Sequence, residues 1–108
     1  MSEEYAPIEV SRLIASGEVE LIDVREPHEY EAGHIPGSRL IELSRLPSLA
    51  ATISRERPVV LCCRSGGRSA LATQALRSAG YDAHNMAGGM LEWVAAGLEI
   101  EPRDGHIV

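Results

Sequence analysis

The chain predicts an α/β fold, a mostly parallel sheet with helices on both faces. Three observations carry that reading. Strand-like and helix-like stretches alternate along the chain. One stretch, Pro58-Val59-Val60-Leu61-Cys62, is apolar without interruption, as in a buried strand. It runs into Cys63-Arg64-Ser65-Gly66-Gly67-Arg68-Ser69, a Gly-rich turn, and then into a helical pattern. Such strand–turn–helix units repeat with right-handed crossovers in parallel sheets.

The elements follow in order. Val10, Leu13 and Ile14 have helical spacing, and Gly17 stops that helix. Glu18 to Val24 carries Val19, Leu21, Ile22 and Val24, a strand pattern. Glu26 to Ala32 reads as a short polar helix or turn ended by Gly33. His34-Ile35-Pro36-Gly37 is turn chemistry, because Pro restricts the backbone and Gly frees it. Arg39 to Leu43 predicts a short strand. Leu46, Leu49, Ala50 and Ile53 mark another helix, with Pro47 tolerated in its first turn. After the cysteine turn, Ala70 to Ala79 is helical, with an apolar stripe at Leu71, Ala72, Ala75, Leu76 and Ala79, and Gly80 closes it. Tyr81 to Met86 predicts a strand. Gly88-Gly89 is a tight turn into a last helix, Met90 to Ala96, ended by Gly97. Leu98 to Val108 has no clear period and reads as a frayed tail. No repeat or linker appears, so residues 1–108 are expected to form one domain, with a core over about 8–97.

Composition narrows the function. The net charge of −6 argues against nucleic acid, which calls for a basic patch. No stretch is apolar enough to span a membrane, and the acidic start Met1-Ser2-Glu3-Glu4 is unlike a signal peptide. A reducing cytoplasm is the expected compartment, and Cys62 and Cys63 are expected to be thiols.

The cysteine turn carries the chemistry. A turn between a strand's C-terminal end and a helix N-terminus is where α/β sheets bind ligands. Its backbone N–H groups converge on an anion, and the helix dipole favours negative charge there. Arg64 and Arg68 flank the same turn, opposing the acidic sign of the whole chain. A thiolate among these donors is stabilised, so Cys63 reads as a nucleophile with a lowered pKa. A cation at a helix N-terminus is locally unfavourable, which points to a task for Arg68 such as binding an anion.

Four separated segments resemble the single-domain rhodaneses, a sulfurtransferase family. They are Leu21-Ile22-Asp23-Val24-Arg25-Glu26, Gly33-His34-Ile35-Pro36-Gly37-Ser38, Cys63 to Ser69, and Ala87-Gly88-Gly89-Met90 with Trp93. Together they cover about residues 8–97. The resemblance implies a five-stranded, mainly parallel sheet between helices, and a double displacement through a cysteine persulfide. It implies that Cys63 is the catalytic nucleophile and that Arg64, Ser65, Gly66, Gly67 and Arg68 wrap the persulfide. Arg64 after the cysteine resembles the thiosulfate type, not the mercaptopyruvate type, which usually has Gly there. Ser38 and Cys62 depart from the common Ala and the common Tyr or other apolar residue. The implied partners are a small anionic sulfur donor and a cyanide or thiol acceptor, a protein thiol among them, with no cofactor.

Other readings stand beside this one. Cys62 and Arg68, followed by Ser69, have the spacing of a cysteine phosphatase loop. Adjacent strand residues face opposite ways, so Cys62 and Cys63 are not expected to share the site. Phosphatase or arsenate reductase chemistry and a non-turnover sulfur carrier are the alternatives. Ser69 reads equally as a substrate ligand or a helix cap. Arg25 is expected to pair with Asp23, Glu26 or Glu29, and His34 to satisfy backbone near Pro36. His28, His84 and His106 show no metal-ligand spacing. Met90 and Trp93 read as core. Gly88-Gly89 can bring backbone close to the cysteine turn.

Overall fold

The computed structural model describes residues 4–108; the expectation for Met1-Ser2-Glu3 lies outside them. Five strands form one sheet in the order β1-β5-β4-β2-β3. They are β1 Glu4–Tyr5, β2 Glu20–Asp23, β3 Arg39–Leu40, β4 Val59–Cys62 and β5 Ala83–Met86. All four pairings are parallel. The helices are α1 Pro7–Ala15, α2 Pro27–Ala32, α3 Leu46–Leu49, α4 Gly67–Ser78 and α5 Gly89–Ala95.

Side-chain alternation along β4 builds two cores. Val59 and Leu61 join Ile22, Val24, Leu46 of α3 and Leu76 of α4 on one face. Val60 and Cys62 join Leu21, Met86, Val10 of α1, and Met90 and Trp93 of α5 on the other. Cys63 falls in the first group and Cys62 in the second, as the period of two requires. The central strand is therefore buried on both sides, which its unbroken apolar run announced.

The strand expected over Arg39 to Leu43 ends at Leu40, with Leu43 already in a 3₁₀ turn, and the structure departs further from the sequence expectations in four places. The strand β1 has only two residues, too few to show a period, and exists because Glu4 and Tyr5 pair with Asn85 and Met86. The helix expected from Leu46 to Ile53 is one short α-turn, α3, between 3₁₀ turns at Leu43–Arg45 and Ala50–Thr52. Side-chain hydroxyls claim its carbonyls: Ser48 donates to Arg45 O, Thr52 to Leu49 O, and Tyr81 Oη to Ala50 O at 2.6 Å. Such bonds compete with a helical ladder. The helix α4 begins at Gly67 instead of Ala70, which puts Arg68 and Ser69 inside its first turn.

The C-terminal segment is the fourth. It is docked, not frayed. Leu98, Ile100 and Ile107 pack on the second core. His34 and Glu101 exchange backbone bonds at 2.9 and 2.8 Å, and His106 N donates to Ala32 O at 2.9 Å. A Cβ on Gly105 would lie 2.4 Å from Ala32 O, so the approach needs glycine. The segment has no period because its polar contacts fall singly, on Trp93, His34, Ala32 and Arg64.

A buried ion pair closes the end of β2. Arg25 and Asp23 are both fully buried. Arg25 Nε donates to Asp23 Oδ1 at 2.9 Å and Nη2 to Oδ2 at 2.8 Å. The same Nη2 reaches Gly33 O at 2.8 Å, tying the strand to the end of α2. Burial works against the guanidinium charge, and the Asp23 carboxylate more than offsets it, so the Arg25 pKa is raised. Removing one partner strands a buried charge. Arg25→Ala is expected to lower the unfolding free energy by about 3–5 kcal/mol, read as a lower urea midpoint with little change in slope.

Candidate active site

The site is the end of β4 and the start of α4. Cys63 directly follows β4, residues 64–66 turn, and Gly66 adopts φ 107° before α4 begins. Gly66 N lies 3.1 Å from Cys63 Sγ, Ser69 N 3.4 Å and Ser69 Oγ 3.3 Å, all as donors. The thiol is only 1% exposed. Burial alone would raise its pKa; hydrogen bonds from the Ser69 hydroxyl and from the Ser69, Gly66 and Ser65 amides outweigh it, and the net shift is downward. Cys63 is thus held toward thiolate by neutral donors and a helix N-terminus.

The start of the turn is anchored from outside by α5. Met90 N accepts no inward role: it donates to Cys63 O at 2.8 Å, and Leu91 N donates to Arg64 O at 3.1 Å. These are first-turn amides of α5, which lack helical partners of their own. The approach is close enough that a Cβ on Gly89 would lie 2.4 Å from Cys63 O and 2.6 Å from Arg64 O. Gly89 has φ 62° besides. The sequence reading of Gly88-Gly89 as a close approach agrees with this geometry.

The remaining turn residues separate into distinct places. Arg64 is exposed, and its Nε donates to the backbone oxygen of Val108 at 2.9 Å. The side chain of Ser65 is exposed, Gly66 is buried, and Gly67 is exposed as the first residue of α4. Arg68 reaches back to α2, its Nη1 and Nη2 on Glu29 Oε1 and Oε2 at 2.8 and 2.9 Å. Ser69 does not cap α4, whose N-cap is Gly66; its hydroxyl faces Cys63 Sγ instead.

Cys62 is excluded from this cluster. Its side chain lies on the other face, and burial, with Asp23 adding to it, drives its pKa well up. A neutral thiol away from the donors does not form the phosphatase-like loop that its spacing to Arg68 allowed. His34 binds Tyr30 O through Nδ1 at 2.7 Å and stacks on the Tyr30 ring, so its partner is Tyr30 and not the backbone near Pro36. Among the described residues, no group of three or more His, Cys, Asp or Glu side chains is arranged to hold a metal ion.

Two residues at the site were not assigned to it from sequence. Asn85 of β5 accepts the Ser69 hydroxyl on Oδ1 at 2.6 Å and donates through Nδ2 to Glu4 Oε2 and Gly66 O at 3.1 and 3.3 Å. In sequence it stands beside His84 in a strand that is half polar, so nothing singled it out. From sequence, Glu29 offers itself only as a partner for Arg25. Its carboxylate also takes Glu26 N at 3.0 Å, which caps α2 and fixes the rotamer.

A family model described as Rhodanese-like domain matches residues 6–96. A protein named Sulfurtransferase from Allochromatium vinosum is 36% identical over 87% of this chain and 89% of its own length. An HTH-type transcriptional regulator of Mycobacterium tuberculosis is 40% identical over 86% of this chain, which spans 42% of that longer protein. Among solved structures, a rhodanese-related protein from Thermoplasma volcanium superposes with a TM-score of 0.84 at 27% identity, covering 90% of this chain and 95% of that one.

Two outcomes follow from the geometry. Ser69→Ala removes one donor to the sulfur, so the pH profile of Cys63 alkylation by iodoacetamide is expected to move to higher pH. Cys62, buried and protonated, stays silent in that assay. The Arg68 guanidinium holds the Glu29 carboxyl at about 2, against 4.5 ordinarily. A depressed carboxyl contributes stability above its unfolded pKa and loses it as pH falls through the folded value. Acid titration of the folded state should therefore lose stability between about 4.5 and about 2, and Glu29→Gln should flatten that part of the curve.

Proposed function

The chain belongs to the rhodanese-like domain family, and on that premise we propose that it transfers sulfane sulfur through a persulfide on Cys63. The observation that carries the reading is the thiol of Cys63 enclosed by three donors at 3.1–3.4 Å, with a lowered pKa. The donor is a small anion that carries sulfane sulfur, with thiosulfate as the simplest example. The thiolate attacks the outer sulfur; a bond forms to Sγ, the bond to the sulfonate sulfur breaks, and sulfite leaves with the electron pair. The terminal sulfur then carries the charge, within reach of the turn amides. Cyanide or a thiolate attacks that terminal sulfur, leaving as thiocyanate or a new persulfide and restoring the Cys63 thiolate. No step needs a general base, because the nucleophile is already ionised and sulfite is a good leaving group. Arg64, exposed beside the cysteine, meets the anionic end of the donor, and Ser65, Gly66, Gly67, Arg68 and Ser69 form the wall around it. A thiolate that persists between turnovers implies a reducing, cytoplasmic setting.

A carrier or sensor that holds sulfur for a partner protein is the second reading. It draws on the mycobacterial regulator, in which the matched region is part of a longer chain. Turnover separates the two, since a carrier forms the persulfide and passes it slowly to small acceptors.

Intact-protein mass spectrometry after incubation with thiosulfate is expected to show a gain of one sulfur atom in the native chain and in Cys62→Ser. Cyanide should remove it. Cys63→Ser should gain none; extra sulfur on that variant would defeat the assignment.

A further inference from the structure

The sulfur-transfer reading leaves open which donors the site prefers, and the ion pair at its rim bears on that. We propose that Glu29 is the specificity-determining residue of the Cys63 site: by cancelling the charge of Arg68 it steers the turn toward sulfane donors with a single negative charge and away from dianions. This inference rests on the proposed sulfur transfer and adds the charge class of the donor.

The pairing is built, not incidental. Both terminal nitrogens of Arg68 engage both oxygens of Glu29, at 2.8 and 2.9 Å. The Glu29 side chain is 9% exposed and that of Arg68 37%, so the carboxylate sits beneath the guanidinium on the protein side. Glu29 Oε1 also receives the Glu26 amide at 3.0 Å, so α2 holds the carboxylate in place whether or not a ligand arrives. Arg68 is close enough to Cys63 for the thiolate to help hold its charge. The pair thus borders the reacting sulfur with a net charge near zero. Behind it, Asp23 and Arg25 form a second neutral pair, fully buried. Arg64 is left as the guanidinium of the turn that no acidic side chain engages, among the described residues.

The consequence is electrostatic. The inward amides are neutral dipoles suited to one charge at the sulfur. A thiosulfate dianion beside the Cys63 thiolate brings three negative charges to a rim where Arg64 is the one guanidinium without an acidic side-chain partner among the described residues. A thiosulfonate brings its reacting sulfur with one charge fewer and leaves as a sulfinate. Both donors react alike: a bond forms to Sγ, the bond from the outer sulfur to the oxidised sulfur breaks, and the leaving group takes the pair. They differ in charge, so the ratio of their rates isolates it.

The test compares kcat/KM for thiosulfate and for benzenethiosulfonate, with cyanide as acceptor, in the native chain, Glu29→Gln, Arg68→Gln and the double variant. Net charge of the pair is then 0, +1, −1 and 0. The thiosulfate-to-thiosulfonate ratio is expected to rise about 3- to 10-fold in Glu29→Gln, to fall by a similar factor in Arg68→Gln, and to return near the native value in the double variant. High salt should compress both single-variant differences. Because each ratio comes from one preparation, partial unfolding of a variant cancels. A ratio that stays constant while both rates fall would mean that Glu29 only supports the fold, and would overturn the inference alone. Absence of cyanide-labile sulfur on Cys63 with both donors in every variant would overturn the sulfur-transfer reading, and the inference with it.

Discussion

The site depends on where two carbonyls go. Cys63 O and Arg64 O are both held by the first-turn amides of α5. Fixing Arg64 O orients the peptide that carries Ser65 N, one of the amides that lower the Cys63 pKa. The contact is possible only because Gly89 has no side chain where Cys63 O lies 2.4 Å from an ideal Cβ. It also satisfies α5, whose first amides have no helical acceptor. One contact therefore serves a helix end and a nucleophile. The parallel register of β4 beside β5 delivers it, since neighbouring strands bring the starts of α4 and α5 to the same sheet edge.

Charge around the cysteine is handled by compensation. Asp23 neutralises Arg25 within the interior, and Glu29 neutralises Arg68 at the rim. The thiolate is held mainly by neutral donors, which persist whatever anion arrives. Ser69 adds a hydroxyl with one hydrogen and three acceptors in reach: Cys63 Sγ, Gly66 O and Asn85 Oδ1. Asn85, at 2.6 Å the nearest, is itself oriented by Glu4 and Gly66 O. The edge strand β1 thereby reaches the site through one side chain.

Legibility in the sequence tracked the range of each interaction. The strand–turn–helix around Cys63 was readable because its cause is local: apolar residues, then glycines, then an apolar stripe. The opposite placement of Cys62 and Cys63 followed from strand geometry. Met90 and Trp93 were readable as core from spacing. The two-residue β1, the broken α3 and the docked C-terminal segment were not, because hydroxyl-to-carbonyl bonds and single contacts with distant elements leave no period. The edge strand was anticipated only through the family resemblance, which implied a fifth strand.

By itself the sequence determined the order of β2 to β5 and their connecting helices apart from the broken α3, the buried central strand and the turn able to hold an anion beside a thiol. Those are consequences of residue type and spacing over a few neighbours. Tertiary structure decided what each charge at that turn does. Arg68 meets Glu29 from 39 residues away in the chain, and Arg64 meets Val108 from 44 away. An isolated arginine beside a cysteine is free in sequence, and only packing shows which carboxylate already occupies it.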